Sequence, residues 1–414
     1  MMDVDGLRLP LLWHAAPQPG DNDGSEVRAS TLGSSALAGR RVRLRLHFRD
    51  ATIFALGAGS SDVAHATRSL KTEDRDAAPP LPVLRATEFG PTSLPATWGS
   101  AYLSNGVVGL RVGPNPLQQN STQGMVGGGN ALVHGWNWRI DANDAGQTPA
   151  PAVYPFETAV VIGGLSMAQH PEMVQVVEQQ LDTATGELTT NIIFKSPTFD
   201  ADLTVTAFLS RALPSVAALE VSVSVTPPGT AVDIRPALSL PNLPSKDAVD
   251  PAVVLQTLRN RSKAWPWQEG MNGLEDLLVL QHRGSRPVSS LGVATHVLRD
   301  LDGLRYRAAV GMITSAYDVD VENAAIRAAL AANVRIGWDR VREQSVARWR
   351  ELWAGRIVAS GPQVTVEDQR VLDLAYFYMH SSVHASTKAG SPCYTLSQWS
   401  PLGGHIFWVR HSSL

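Results

Sequence analysis

Between residues 86 and 315 hydrophobic and polar positions alternate along the chain with a period of two. Leu203, Val205, Ala207 and Leu209 interleave with Asp202, Thr204 and Thr206, and Leu219, Val221, Val223 and Val225 with Glu220, Ser222 and Ser224. Such alternation puts one face of a strand in water and the other in a core, as antiparallel sheets of a sandwich require. The run Leu181-Asp182-Thr183-Ala184-Thr185-Gly186-Glu187-Leu188 reads as a hairpin turn between two more strands. Turn signals recur at Gly113-Pro114-Asn115-Pro116, Gly127-Gly128-Gly129-Asn130 and Pro227-Pro228-Gly229. The segment predicts a large two-sheet β-sandwich.

Near residue 318 the period changes. Leu330, Val334, Trp338, Val341, Ser345 and Trp349, with Leu352 and Trp353, recur at spacings of three and four. They form one apolar stripe on a long helix or a broken helix pair, with Gly337 as the break. After Gly361-Pro362 a further helix is expected, and Val371-Leu372-Asp373-Leu374-Ala375-Tyr376-Phe377-Tyr378-Met379 makes it apolar nearly all round. A helix of that kind needs cover on every side. Residues 14–40 and 57–83 are polar and rich in Gly, Ser, Asp and Ala, and Pro79-Pro80-Leu81-Pro82 reads as a linker. The fold class expected is mainly β with a helical C-terminal part. Residues 1–85 form a poorly ordered or appended region, 86–315 the sandwich, 316–362 a helical linker, and 363–414 the start of a helical domain.

Composition narrows the function. In 414 residues, 44% are hydrophobic and 18% charged, as in ordinary globular proteins. Lys and Arg total 35 against 38 Asp and Glu, a net charge of −3, so there is no basic footprint for nucleic acid. Cys393 is the single cysteine, which excludes an internal disulfide and a cysteine-based zinc site. No apolar run approaches the ~18 residues of a membrane span. The 11 Trp outnumber the 7 Tyr, a bias that suits either a Trp-filled core or stacking on sugar rings.

Candidate chemistry is sparse. His380 and His384 stand at i and i+4, a metal-chelating spacing on a helix, but neither the glutamate of a zinc-protease motif nor a third ligand accompanies them. Structural roles suit these histidines better, and no metal is expected. Trp136-Asn137-Trp138 and Trp265-Pro266-Trp267 can make aromatic platforms or pack against neighbouring loops. The sequons Asn120-Ser121-Thr122 and Asn260-Arg261-Ser262 carry meaning only in an exported protein. Gly57-Ala58-Gly59 lacks the third glycine of a dinucleotide fingerprint. Arg40 to Arg49, followed by Ala51–Leu56 and Ala64-His65-Ala66, reads as a β-strand with period two or as an export signal. Localisation rests on that choice, and the strand reading favours the cytoplasm. Composition alone leaves a catalytic carboxylate pair open.

Four segments, in one order, resemble glycoside hydrolase family 65, which includes acid trehalase, glucosylgalactosyl-hydroxylysine glucosidase and the maltose and kojibiose phosphorylases. Tyr102-Leu103-Ser104-Asn105-Gly106-Val107-Val108-Gly109 resembles the family's opening Asn-Gly-x-x-Gly strand. Leu181-Asp182 to Leu188-Thr189, with Phe208-Leu209-Ser210-Arg211, resembles a sandwich hairpin and its Ser-Arg strand. Trp349-Arg350-Glu351-Leu352-Trp353 resembles the linker's W-x-x-L-W. Gly403-Gly404-His405-Ile406-Phe407-Trp408 resembles the Gly-His-Val/Ile-Phe-Trp-Asp signature, except that Val409 replaces the aspartate.

The resemblance implies a sandwich, a helical linker and an (α/α)6 barrel of which 363–414 is the truncated beginning. It implies glucosyl binding by Trp408 and His405, and an inverting reaction on glucosyl disaccharides or glucosylated glycans. In that reaction one carboxylic acid protonates the glycosidic oxygen while water or phosphate attacks the opposite face. The general acid is expected beyond Leu414, so this chain carries no catalytic residue and is expected to be inactive alone. Gly403 and Ile406 favour hydrolysis over phosphorolysis, and inorganic phosphate is required only in the second case. The expected partner is an α-glucoside, with no nucleic acid and no membrane. A homodimer, frequent in the family, is left open, and a non-catalytic carbohydrate-binding sandwich or a half-enzyme docked through helix 371–379 are the other readings.

Overall fold

The computed structural model describes residues 79–89, 100–119, 130–139, 147–239, 273–282, 289–359 and 364–387, with the residue pairs 2–3 and 42–43. The chain divides into two compact units, residues 1–78 and 79–414. In the first, strands β1 (Met2–Asp3) and β2 (Val42–Arg43) pair antiparallel.

The second unit opens with β3 (Val83–Ala86), β4 (Ala101–Ser104), β5 (Val108–Val112), β6 (Asn130–Arg139), β7 (Gln147–Ala152), β8 (Thr158–Ile162) and β9 (Leu165–Ser166). It continues with β10 (Val174–Asp182), β11 (Glu187–Lys195), β12 (Asp200–Leu209), β13 (Val216–Thr226), β14 (Val232–Pro236), β15 (Leu274–His282), β16 (Ser289–Arg299) and β17 (Arg305–Thr314). Helices α1 (Val321–Leu330), α2 (Trp338–Trp353) and α3 (Val366–Ser381) follow, and a π-helical turn, Ala331–Gly337, joins the first two.

Eight strands form one antiparallel sheet in the order β15-β16-β17-β13-β12-β11-β10-β3. Strands β4-β5-β6-β7 and β14-β8-β9 form two smaller sheets. The inward side chains of all three make one core, to which β12 supplies Ala201, Leu203, Val205, Ala207 and Leu209 and β13 supplies Ala217, Leu219, Val221 and Val223. This is the mainly β, sandwich-plus-helix architecture that the period-two alternation predicts, and the 181–188 hairpin falls between β10 and β11 with Leu181 opposite Leu188.

The outer face of the large sheet departs from simple alternation. Phe208, Val216, Ala218 and Ala309 are buried there against Ala332, Trp338 and Val341. Leu277 and Ala294 are buried against Ala325 and Ile326. Glu220, expected in water, is buried because Arg305 and Arg307 both bind its carboxylate, at 2.9 and 2.6 Å, under the start of α2. The helices, not solvent, cover this face. α1 lies so close that a Cβ on Gly292 or Gly311 would collide with the carbonyls of Val321 and Ala325. Gly311→Ala is therefore expected to push α1 off the sheet at a cost of about 1–3 kcal/mol. Urea denaturation reads this, and an unchanged midpoint would show that α1 docks more loosely than these contacts imply.

The linker helix begins where its period changes, with Asp320 as N-cap accepting from Asn323 N–H at 3.2 Å. Its stripe holds at Trp338, Val341, Ser345, Trp349 and Trp353, all buried. It fails at Val334, which is 48% exposed. The π turn adds a residue to its loop and slips the phase, so Ala332 and Asn333 face inward instead. Gly337, at φ +90°, ends the turn where a break is expected.

Helix α3 is closed at its start by a capping box, Thr365 Oγ1 accepting from Asp368 N–H and the Asp368 carboxylate from Thr365 N–H. It buries a mostly polar stripe, Gln369, Asp373, Phe377 and Ser381, against the rest of the unit. Its apolar residues Val371 and Met379 are 58% and 53% exposed. The expectation of apolar contact on every side does not hold in this unit, because hydrogen bonds and one ion pair seat the helix. Among the described residues no helix is long and apolar enough to cross a membrane.

Candidate functional site

Three of the four family-like segments, together with the end of α3, meet at one junction. The loop after β4 supplies Asn105, whose fully buried side chain satisfies every bond it can make. Its Nδ2 donates to the carbonyls of Ser210 (2.8 Å) and Pro214 (2.9 Å), and its Oδ1 accepts from Val107 and Val108 N–H at 3.0 and 2.9 Å. Gly106 follows at φ +87°, and a Cβ there would strike the backbone of Val383 and His384. The Asn-Gly pair thus ties the first segment to the Ser-Arg segment and leaves room for the chain emerging from α3.

Arg211 is the centre. Its guanidinium donates to His380 O at 2.7 Å and Val383 O at 3.0 Å, the carbonyls at the C-terminal end of α3, and lies over the Trp349 ring at 4.9 Å. Its N–H donates to Ser345 Oγ on α2. Helix C-terminal carbonyls and an aromatic face suit a cation, so Arg211 caps α3 where a carboxylate would otherwise be needed. Burial still costs the charge, and the guanidinium is lowered to about 10.

Trp349 and Trp353, the two tryptophans of W-x-x-L-W, are one helical turn apart on α2. Trp349 stacks on Phe377 with centroids 4.9 Å apart, and Trp353 on Tyr376 at 5.0 Å. The 181–188 hairpin receives both. Trp353 Nε1 donates to Thr183 O at 2.8 Å, and Gly186, at φ +69°, packs against Trp349 where any Cβ would overlap the indole. Below them Asp373 of α3 pairs with Arg356, at 2.6 and 2.8 Å, and accepts from Gln369 Nε2 at 2.9 Å. Tyr376 Oη donates to Leu352 O at 2.6 Å.

The two histidines do not share a helical face. α3 ends at Ser381, so His380 sits in its last turn while His384 lies beyond it. His380 stacks on Tyr376 at 4.3 Å, and His384 bonds to Arg211 O and to Ser386. Burial, reinforced by Arg211, holds the His380 imidazole below its ordinary range. Burial likewise lowers His384, opposed by its bond to the Arg211 carbonyl. Among the described residues no group of three or more His, Cys, Asp or Glu is placed to hold a metal ion.

Trp136 is buried in the sandwich core, the packing alternative for the Trp136-Asn137-Trp138 motif. The side chain of Trp138, the Trp265-Pro266-Trp267 motif, both sequons, the 40–66 export-signal reading apart from Val42–Arg43, and the ligand candidates His405 and Trp408 lie outside the described residues.

Inverting glycoside cleavage needs two carboxylates about 6.5–9.5 Å apart. The junction's carboxylates are committed elsewhere, Asp373 to Arg356 and Glu187 to Arg342. Glu157, before β8, is raised by burial but lies against Ser239 Oγ at 2.5 Å, which partly offsets that rise. The arrangement is a mechanical joint: it fixes where α3 ends and in what direction the chain leaves it. Sequence reasoning found the segments but not Asn105, Arg211 and Gly186 as the residues that join them. Two of these are signalled only by a glycine or an asparagine beside a strand end.

No family model matches this chain, and no curated protein matches it in sequence. A search of solved structures finds similarity to a "Putative kojibiose phosphorylase from human microbiome", with a TM-score of 0.58 and 11% sequence identity over 79% of this chain. The matched region is 45% of that protein, so this chain spans under half its length. At that identity the likeness is one of fold.

Proposed function

We propose that this chain is the sandwich-and-linker portion of an inverting α-glucoside-processing enzyme of the family-65 kind. The observation that supports the reading is the junction: segments chosen for their family resemblance, more than a hundred residues apart, close on Arg211 and the end of α3. From there the chain continues toward His405 and Trp408, the residues proposed to contact the glucosyl unit. The substrate class is a glucosyl disaccharide or a glucosylated glycan. The reaction needs no bound cofactor, since a carboxylic acid protonates the leaving oxygen and a small nucleophile attacks the opposite face.

Gly403 and Ile406 favour water as that nucleophile. The likeness to a protein described as a phosphorylase supports phosphate as the second reading. The resemblance places the general acid more than a hundred residues past Trp408. The 414-residue chain is therefore expected to turn over none of trehalose, kojibiose, maltose or glucosyl-galactose, with or without phosphate. Release of glucose or glucose phosphate above background would overturn this assignment. Tryptophan fluorescence separates the non-catalytic alternative, because a carbohydrate-binding sandwich would saturate with oligosaccharide below millimolar and this reading predicts that it does not.

A further inference from the structure

The bonds at His384 fix both its charge and its tautomer. The backbone N–H of Ser386 points at Nδ1 from 3.1 Å, with Ser386 Oγ 2.7 Å away, and Nε2 lies 3.1 Å from the Arg211 carbonyl. A peptide N–H can only donate and a carbonyl can only accept. Nδ1 must therefore carry a lone pair and Nε2 the proton, which makes the ring neutral. The charged and titratable groups around it are Arg211 from the β12–β13 turn, Arg348 on α2 and His380 in the last turn of α3. Arg348 is itself paired with Glu351. Thr387 closes the segment, its Oγ1 3.4 Å from Gly106 O and 3.2 Å from His384 N–H.

We infer that His384 is a protonation-sensitive anchor, holding residues 383–387 on the Asn105–Gly106 loop and Arg211 when neutral and loosening them when it takes up a second proton. The step adds one proton from solvent to Nδ1. The Ser386 hydroxyl can turn to accept it, but the Ser386 amide N–H then faces another N–H and its bond is lost. The new positive charge stands beside Arg211, whose guanidinium is already buried without a carboxylate in its recorded ion pairs. Burial and Arg211 favour the neutral ring in the folded chain. The anchor's contribution is then complete above the ordinary histidine value of about 6.5 and falls away as pH drops below it toward the lower folded value. This inference stands apart from the enzymatic reading. It adds that the segment so gated is the one leading to His405 and Trp408.

Backbone hydrogen exchange of peptides covering 383–387, corrected for the intrinsic rate, tests it on the full chain. Protection is expected at about pH 7.5 and its loss at about pH 5, with His384→Gln showing low protection independent of pH. Equal protection at both values in the wild type, or the same pH dependence in His384→Gln, would overturn the anchor. Because that variant can fail to fold, nitrogen NMR of the wild-type histidines provides a second decision. A neutral ring protonated at Nε2 and titrating below 6.5 supports the anchor, and one protonated at Nδ1 or titrating higher sinks it.

Discussion

Replacing Asp373 with alanine is expected to destabilise the sandwich–helix unit by about 3–5 kcal/mol, the cost of stranding one member of a buried ion pair. Arg356 grips both carboxylate oxygens, and the side chains of the pair are 12% and 2% exposed. Without Asp373 the guanidinium keeps only its bond to Pro79 O, and Gln369 loses a partner. The control is the double change Asp373→Leu with Arg356→Met, expected to regain most of the loss because it removes both charges and fills their volume. Urea denaturation of the three proteins decides the matter. A single-variant loss under about 1 kcal/mol, the range of an exposed pair, would mean that water reaches the site.

Trp349→Ala carries the second large effect, about 3–5 kcal/mol, as for other buried aromatic truncations. Its indole fills the space between Gly186, Phe377 and the Arg211 guanidinium, so deletion opens a cavity and removes the face on which a buried cation rests. Trp349→Phe keeps the stacking but not the full area, and should lose clearly less. Equal losses for the two variants would show that the ring's hydrogen-bonding edge, rather than its bulk, supports the joint.

The sandwich was legible because its strands follow the simplest pattern there is: Leu203, Val205 and Ala207 do face the core, and the hairpin at 181–188 does turn. What periodicity missed arises where a second layer intervenes. Glu220 and Phe208 lie on the side of the sheet that a two-layer reading gives to water, and only the arrival of α1 and α2 buries them. Val334 was assigned inward by a 3.6-residue period that the π turn interrupts. α3 misleads in the opposite sense. Its apolar residues drew attention, yet Gln369, Asp373 and Ser381 face its neighbours, since a polar stripe carries no hydrophobic period. The junction was visible as separate segments only, because no local pattern tells Asn105 that it will bond to Ser210. Trp408 and His405, the ligand candidates, rest on resemblance alone.

The joint also imposes an order in time. Thr387 lies 281 residues after the Gly106 it closes upon, and Trp353 lies 170 after Thr183. At a synthesis rate of about 5–20 residues per second, the Asn105–Gly106 loop leaves the ribosome roughly 14–56 s before its last contact can exist. Through that interval the hairpin and Arg211 present an unfilled seat, with a buried-type cation and an aromatic slot open to whatever else is nearby. α3 must find that seat late, so the step that completes the unit is a docking event with a long wait before it, and a helper that shields Arg211 and the hairpin meanwhile would act on yield without touching final stability.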